Sequence, residues 1–432
     1  MSKAALPPTD TFVDTLPNGV RVLVLPEPRL HTAQVSVFVR TGSAHESRAL
    51  NGVSHFVEHM LFKGTHTRDV HRINLDAERL GAEVNAHTDK DHTAFYMRGR
   101  AAHAPAFVHM LADIVQNATF PEAEIERERE VLLNEHSEVD DDPMTAAYTL
   151  FDHACYGLHA AAQPVIGSRR NIERLSRADL AAYFERQYTG ANVVVAVAGQ
   201  VDADSMLGEL RGAFASLPPG APNAVEAPVW GGGIRSRRLA GSGQTHFVLG
   251  FPIPALADDD GTGEVAAALL GEGMSSPLMS ELRERRGLVY YAACAADVLD
   301  CCGQFAIEAS FAPGKLDEVL REVAQLLAAQ AVAIDPVDLE RARNQIVVRG
   351  LRTLERPARR LEEAALDLFA RGRLRSAAER IAGLEAIDAD AVRRRFELML
   401  AAPVSLAITG SVGRAVSERA RTALEALNVS AG

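Results

Sequence analysis

The stretch Ser54-His55-Phe56-Val57-Glu58-His59-Met60 sets two histidines four residues apart around a glutamate. On an α-helix, positions i, i+3 and i+4 share one face, so His55, Glu58 and His59 project together. The flanks predict a helix of about three turns. Asn51 stands where an N-cap belongs, Gly64 where a helix stops, and Val53, Phe56, Val57, Met60 and Leu61 supply an apolar side. Polar groups on such a helix need partners. A zinc ion would engage both imidazoles and leave Glu58 to move a proton, whereas the structural alternative is a pair of hydrogen-bonded core histidines beside a surface glutamate.

Working outward, Gly19 to Leu25 and Ala33 to Val39 read as strands, Asp69 to Leu80 as a helix, and Ala82 to Met97 as two strands around Thr88-Asp89-Lys90-Asp91. Helical patterns follow at Ala104 to Ala118, Glu122 to Ser137, Tyr148 to Gly157 and Asp179 to Tyr188, with a buried strand at Asn192 to Ala198. From Leu217 to Gly233 the periodicity gives way to Pro, Ala and Gly, as in an interdomain linker.

Beyond the linker the first half recurs, at an offset of about 210 to 215 residues. Thr245 to Phe251 takes the place of the strand at Ala33, and Gly263 to Leu270 that of the motif helix. Tyr290 to Ala309 matches the hairpin, Leu316 to Ala329 the helix at Ala104, and Pro336 to Val348 the helix after Pro121. In the second copy Val265-Ala266-Ala267-Ala268-Leu269-Leu270 replaces the histidine helix. The pattern is written twice and armed once, so the chain reads as two homologous domains, 1–216 and 235–432, joined by a linker at 217–234.

Over 432 residues the net charge is −12, with 47% hydrophobic and 24% charged residues. That balance suits an ordinary globular protein and, with no Lys/Arg cluster to offset it, argues against nucleic acid and anionic membranes as partners. Basic peptides would be attracted. The N-terminus shows neither a secretory apolar run nor an Arg-rich presequence, and no apolar stretch of about eighteen residues occurs, so the expectation is a cytoplasmic protein. The four cysteines, Cys155, Cys294, Cys301 and Cys302, do not form a disulfide framework at this length. The Cys301-Cys302 pair lacks zinc-knuckle spacing and falls in a strand-like run.

A catalytic zinc site takes three protein ligands and keeps one position open. The charged helix after Pro121 offers Glu124, Glu126, Glu128, Glu130, Glu135 and Glu138, of which Glu128 and Glu135 are seven apart and share a face. Spacing narrows the third ligand to this helix without choosing within it.

His55-x-x-Glu58-His59 followed by Glu135 resembles the inverted-motif zinc peptidases, the pitrilysin, insulysin and mitochondrial processing peptidase family. The resemblance extends to Leu16-Pro17-Asn18-Gly19-Val20-Arg21-Val22, to Arg40-Thr41-Gly42-Ser43-Ala44-His45-Glu46 before the motif helix, and to His59-Met60-Leu61-Phe62-Lys63-Gly64-Thr65 at its close. Gly81-Ala82-Glu83-Val84-Asn85-Ala86-His87-Thr88 looks like the family's peptide-pairing edge strand. Gly273-Met274-Ser275-Ser276 and Leu282-Arg283-Glu284-Arg285-Arg286-Gly287-Leu288-Val289-Tyr290 look like the segment that approaches substrate from the second half. Pro277, where many relatives have arginine, and Cys294 with the Cys301-Cys302 pair depart from the pattern.

The resemblance implies one Zn2+ per chain held by His55, His59 and Glu135, Glu58 as the base that activates water, and Glu128 as a supporting group behind the ligands. It assigns Asn85, Ala86 and Thr88 to peptide binding and Arg283 and Tyr290 to the substrate backbone or developing oxyanion. The fold implied is α+β: two homologous domains, each a mixed or antiparallel sheet with helices packed on one face, together half of a clamshell chamber. The chain would then be a zinc-dependent endopeptidase acting on unfolded peptides or protein termini, paired with a copy of itself or a related subunit. The alternatives are a dedicated N-terminal processing peptidase subunit and a non-catalytic structural or chaperone-like subunit.

Overall fold

The run Val193–Gly199 is buried at every residue, which requires a strand covered on both faces. The covering comes from two directions in the sequence. In the computed structural model, which describes residues 11–424 and 427, the strands are β1 Phe12–Thr15, β2 Arg21–Pro26, β3 Thr32–Val39, β4 Glu83–Thr88, β5 Thr93–Arg100, β6 Val193–Gly199, β7 Gly233–Arg238, β8 Thr245–Ile253, β9 Tyr291–Val298, β10 Gly303–Phe311 and β11 Ser405–Gly410. Six helices matter below: α1 Val53–Leu61, α2 Glu122–Asp141, α3 Pro143–Tyr156, α4 Thr262–Gly271, α5 Pro336–Leu354 and α6 Pro357–Arg371.

The strands form two mixed sheets, in the orders β1-β2-β6-β3-β5-β4 and β7-β11-β8-β10-β9. After β1 the two orders correspond strand for strand, and each sheet holds one parallel pair, β2 with β6 and β7 with β11, among antiparallel neighbours. The repeat read from the sequence is thus a repeat of topology.

The chain divides into two compact units. The first comprises the described residues through His136, Gln163–Val225 and Arg352–Arg375; the second comprises Ser137–Ala162, Glu226–Leu351 and the described residues from Ser376 onward. In the first, one sheet face packs Val35, Val37 and Val195 against Phe56, Val57, Phe107 and Leu111 of its helices. The other face packs Leu23, Phe38 and Ala196 against Leu361, Leu368 and Phe369 of α6. The second unit has the same arrangement, with Leu249, Phe305 and Ile307 against Val265 and Leu269 on one side and Val248, Ala306 and Ala407 against Phe151, Cys155 and Tyr156 of α3 on the other. Each fully buried Leu or Phe in these layers is worth roughly 1.5–3 kcal/mol.

The α+β reading, a mixed sheet with helices packed on it in each unit, is what the structure has. It adds a helix on the second face, and that helix is exchanged: α3 precedes the linker yet belongs to the second unit, and α6 follows it yet belongs to the first. The units are therefore discontinuous in sequence, unlike the unbroken spans 1–216 and 235–432. Cys301 and Cys302 lie in the turn between β9 and β10, not in a strand, with sulfurs 3.9 Å apart. Among the described residues no helix is long and apolar enough to cross a membrane.

Candidate active site

The motif helix begins with a glycine for a steric reason. Gly52, not Asn51, is the N-cap of α1; its φ is +99°, and a Cβ there would stand 2.9 Å from Gly167 Cα. Asn51 instead donates to Glu46 Oε2 and to the Pro164 carbonyl, both at 2.9 Å. The helix amides are taken by Glu46, which accepts from Gly52 N at 2.8 Å and Ser54 N at 2.7 Å, placing a carboxylate at the positive end of the helix. Burial pushes the Glu46 carboxyl up to about 7 against the pull of those hydrogen bonds. Beside it the Tyr183 hydroxyl bridges Thr41 Oγ1 at 2.7 Å and Ser54 Oγ at 2.6 Å. The helix closes at Phe62, two residues before Gly64.

On this frame the histidines stack edge to face, ring centroids 4.7 Å apart. His55 Nε2 lies 4.0 Å and His59 Nε2 3.8 Å from Glu135 Oε2. These three donor atoms lie within 4.8 Å of one another, as ligands of one metal ion would. Glu128, two turns before Glu135 on α2, sits behind His59: its Oε2 is 3.0 Å from His59 Nδ1 and its Oε1 2.7 Å from Lys63 Nζ. A carboxylate on Nδ1 fixes that proton there and leaves Nε2 as the lone-pair side.

Burial and the neighbouring His59 depress His55 to about 4, so its imidazole is neutral at physiological pH. For His59 burial acts in the same direction, but the Glu128 hydrogen bond and the nearby carboxylates outweigh it and raise the ring. Glu58, 9% exposed, is raised by burial against a hydrogen bond from Thr88 Oγ1 to its Oε2 at 2.8 Å. Such a carboxylate holds a proton more readily than one in water.

Thr88 ends β4, the edge strand of the first sheet. Along β4 Val84, Ala86 and Thr88 turn inward and Glu83, Asn85 and His87 outward. The Asn85 side chain accepts from the Ala86 amide at 2.8 Å. Arg283 and Tyr290 belong to the second unit. Arg283 lies in the π-helical turn Ser280–Arg285, its Nη1 3.9 Å from Met274 Sδ and its Nε 3.9 Å from Glu284 Oε1; Tyr290 is 61% exposed.

The first unit thus brings together His55, Glu58, His59, Glu128, Glu135 and Thr88. The groups that sequence reasoning missed are Glu46 and Tyr183, which hold the start of α1 and its Ser54. A signal for Glu46 exists, a carboxylate a few residues upstream of the helix, but the intervening turns hide which residue reaches the amides.

Residues 21–169 match the family model described as insulinase (peptidase family M16), and residues 174–346 that of the peptidase M16 inactive domain. An uncharacterized zinc protease of Mycobacterium tuberculosis is 36% identical over 334 residues, 76% of this chain and 76% of that protein. An uncharacterized zinc protease of Bacillus subtilis is 27% identical over 402 residues, 92% of this chain and 98% of the relative. Among solved structures, a protease from Helicobacter pylori has the same fold with a TM-score of 0.85, at 22% identity, over 93% of this chain and 99% of that one. A chain of complex III from Candida albicans does so at 0.83 and 17% identity, over 96% and 99%. With both halves matched in order and a relative above one-third identity across three-quarters of its length, the chain belongs to peptidase family M16, the insulinase family.

Proposed function

We propose that this chain is a zinc-dependent peptidase that hydrolyses peptide bonds in unfolded peptides or protein termini. The observation that carries the proposal is the convergence of His55 Nε2, His59 Nε2 and Glu135 Oε2 beside a buried Glu58 tied to the edge strand. Two imidazole nitrogens and one carboxylate oxygen are a catalytic zinc donor set, and the 3.8 and 4.0 Å separations need only a small contraction toward the roughly 3.3 Å edge of a tetrahedron with bonds near 2.0–2.1 Å. Relatives that carry the name zinc protease support the same metal.

When bound, zinc supplies Lewis acidity at the scissile carbonyl and the attacking water. Glu58 takes the proton from that water and returns it to the departing amine nitrogen. Its burial favours the first transfer, and Thr88 holds one carboxylate oxygen so that the group keeps a single orientation. The outer edge of β4, with Asn85 and Ala86, offers backbone groups to an extended peptide, which gives affinity with little sequence selectivity. On the family resemblance we assign Arg283 and Tyr290 to the substrate backbone or oxyanion, and pairing to a second copy or a related subunit.

Glu58→Gln is expected to keep the metal and lose hydrolysis of a fluorogenic peptide by about 10²–10⁴-fold. Glu135→Gln is expected to lose the metal itself, read by elemental mass spectrometry. Wild-type turnover in zinc-loaded Glu58→Gln would overturn the assignment of the base. Absence of cleavage by the zinc-loaded wild type across a random peptide pool would favour a non-catalytic subunit.

A further inference from the structure

The first unit holds a second histidine–carboxylate trio on the other face of its sheet. Side chains alternate along β4, so Thr88 turns toward α1 while His87 turns outward, to the face that α6 covers. There His87 Nε2 lies 3.2 Å and His92 Nε2 3.5 Å from Glu362 Oε1, and the three donor atoms all fall within 4.8 Å of one another. Those separations are shorter than the corresponding ones at the first trio and closer to the roughly 3.3 Å edge expected around zinc.

We infer that His87, His92 and Glu362 form a second divalent-metal site, for zinc or a metal of similar preference, that clasps the β4–β5 hairpin to α6. Two imidazole nitrogens with one carboxylate oxygen select this class over calcium or magnesium, which take oxygen ligands. The polar atoms around the trio are arranged for such an ion. The side chain of His92 is 4% exposed, its Nδ1 is 2.8 Å from Asp91 Oδ1, and its buried Nε2 makes no hydrogen bond despite its closeness to Glu362. A carboxylate on one ring nitrogen, with the other nitrogen turned toward the remaining ligands, is how a metal-binding histidine is usually held. Glu362 is oriented too, since its Oε2 accepts from Arg359 Nη1 at 3.0 Å and so leaves Oε1 for the ion. Arg360, next to it, pairs with Glu27 and anchors the same end of α6. The clasp would act on the strand that ends at Thr88, the residue bonded to Glu58.

The rival account is a metal-free imidazolium held between Asp91 and Glu362. Metal counting separates the two and does not depend on the peptidase reading. The full chain carrying His55→Ala and His59→Ala, dialysed against zinc and then against buffer, is expected to retain about one zinc per chain. Adding Glu362→Gln, or separately His87→Asn at an exposed position, is expected to weaken that zinc at least tenfold, with circular dichroism reporting the fold. Cobalt in the same site would show the visible bands of a low-coordinate N/O environment. The inference fails if the His55/His59 variant keeps no zinc, or if neither further substitution changes its affinity.

Discussion

Helices α1 and α4 hold the same place in the two units and differ in what they bury. Along α4 the residues from Val265 to Leu270 are all buried and all apolar, and the helix packs as a plain core element. Along α1 Ser54 and Glu58 are buried among apolar residues, with two histidines half-buried beside them. Four of the polar groups there are met from different elements: Glu46 on the first amides, Tyr183 on Ser54, Thr88 on Glu58, Glu128 on His59, while the buried Nδ1 of His55 makes no hydrogen bond. The helices behind them diverge in step. Where α2 sends Glu128 to a ring nitrogen, α5 sends Arg341, whose guanidinium donates to the Leu269 carbonyl at 2.6 Å and to the Glu272 carbonyl at the negative end of α4. The topology needs only an apolar helix at this place, and one copy departs from that minimum by carrying polar side chains that the surrounding elements meet.

The loss of hydrolysis in Glu58→Gln is the largest effect on the armed side of this comparison. The largest on the plain side concerns Leu269, fully buried at an offset of about 210 residues from His59, within the range of the repeat. Leu269→His is expected to cost roughly 2–5 kcal/mol, because it removes core volume and buries an imidazole with no partner built for it. Urea unfolding of the variant would measure this, with metal content determined alongside. A cost below about 1 kcal/mol, or an additional bound zinc, would mean that the second unit retains the supporting shell and that the two helices differ less than their sequences do.

Glu46 sharpens the contrast at the helix start. The N-cap of α4 is Gly261, with no side-chain cap, whereas α1 rests on a buried carboxyl moved from 4.5 to about 7. A carboxyl whose folded value is raised binds its proton more tightly in the fold. Its contribution is therefore complete below pH 4.5 and is lost as pH rises to about 7, a change of roughly 3 kcal/mol. In metal-stripped protein, the stability of wild type relative to Glu46→Gln should fall across that window. Parallel pH profiles for the two proteins would show that Glu46 ionises without cost and that its hydrogen bonds offset its burial.

Much of this comparison is legible in the sequence and some of it cannot be. The strands at Ala33 and Thr245, the helices at Ala104 and Leu316, and the bare Val265 to Leu270 segment show their periods locally, so the repeat and its single arming appear at once. His55, Glu58 and His59 share a face by helical geometry alone. Choosing Glu135 within the charged run took the family resemblance, because spacing describes a face and not what the face meets. The exchange of α3 and α6 is invisible, since an amphipathic helix records that it packs and not on which sheet. His87, His92 and Glu362 escape for the same reason: the hairpin and α6 are far apart in the chain, and only the exchange brings them together.

The smallest effect tests whether the support behind the ligands matters as the comparison implies. Glu128 is held between His59 Nδ1 and Lys63 Nζ, and its charge both fixes the ring proton and raises the basicity of the opposite nitrogen. Glu128→Gln keeps the shape, retains an oxygen for Nδ1 and turns an amide group toward Lys63. Zinc affinity at the first trio should drop by about 10–100-fold, with the fold intact, as read by competition with a chelator of known strength. Lys63→Met separates the two roles of the carboxylate. If Glu128 serves the histidine, the lysine variant leaves zinc affinity within a few-fold of wild type; if Glu128 is there to neutralise the lysine, the Glu128→Gln defect disappears once Lys63 is gone, and the divergence between α2 and α5 is one of charge balance and not of metal support.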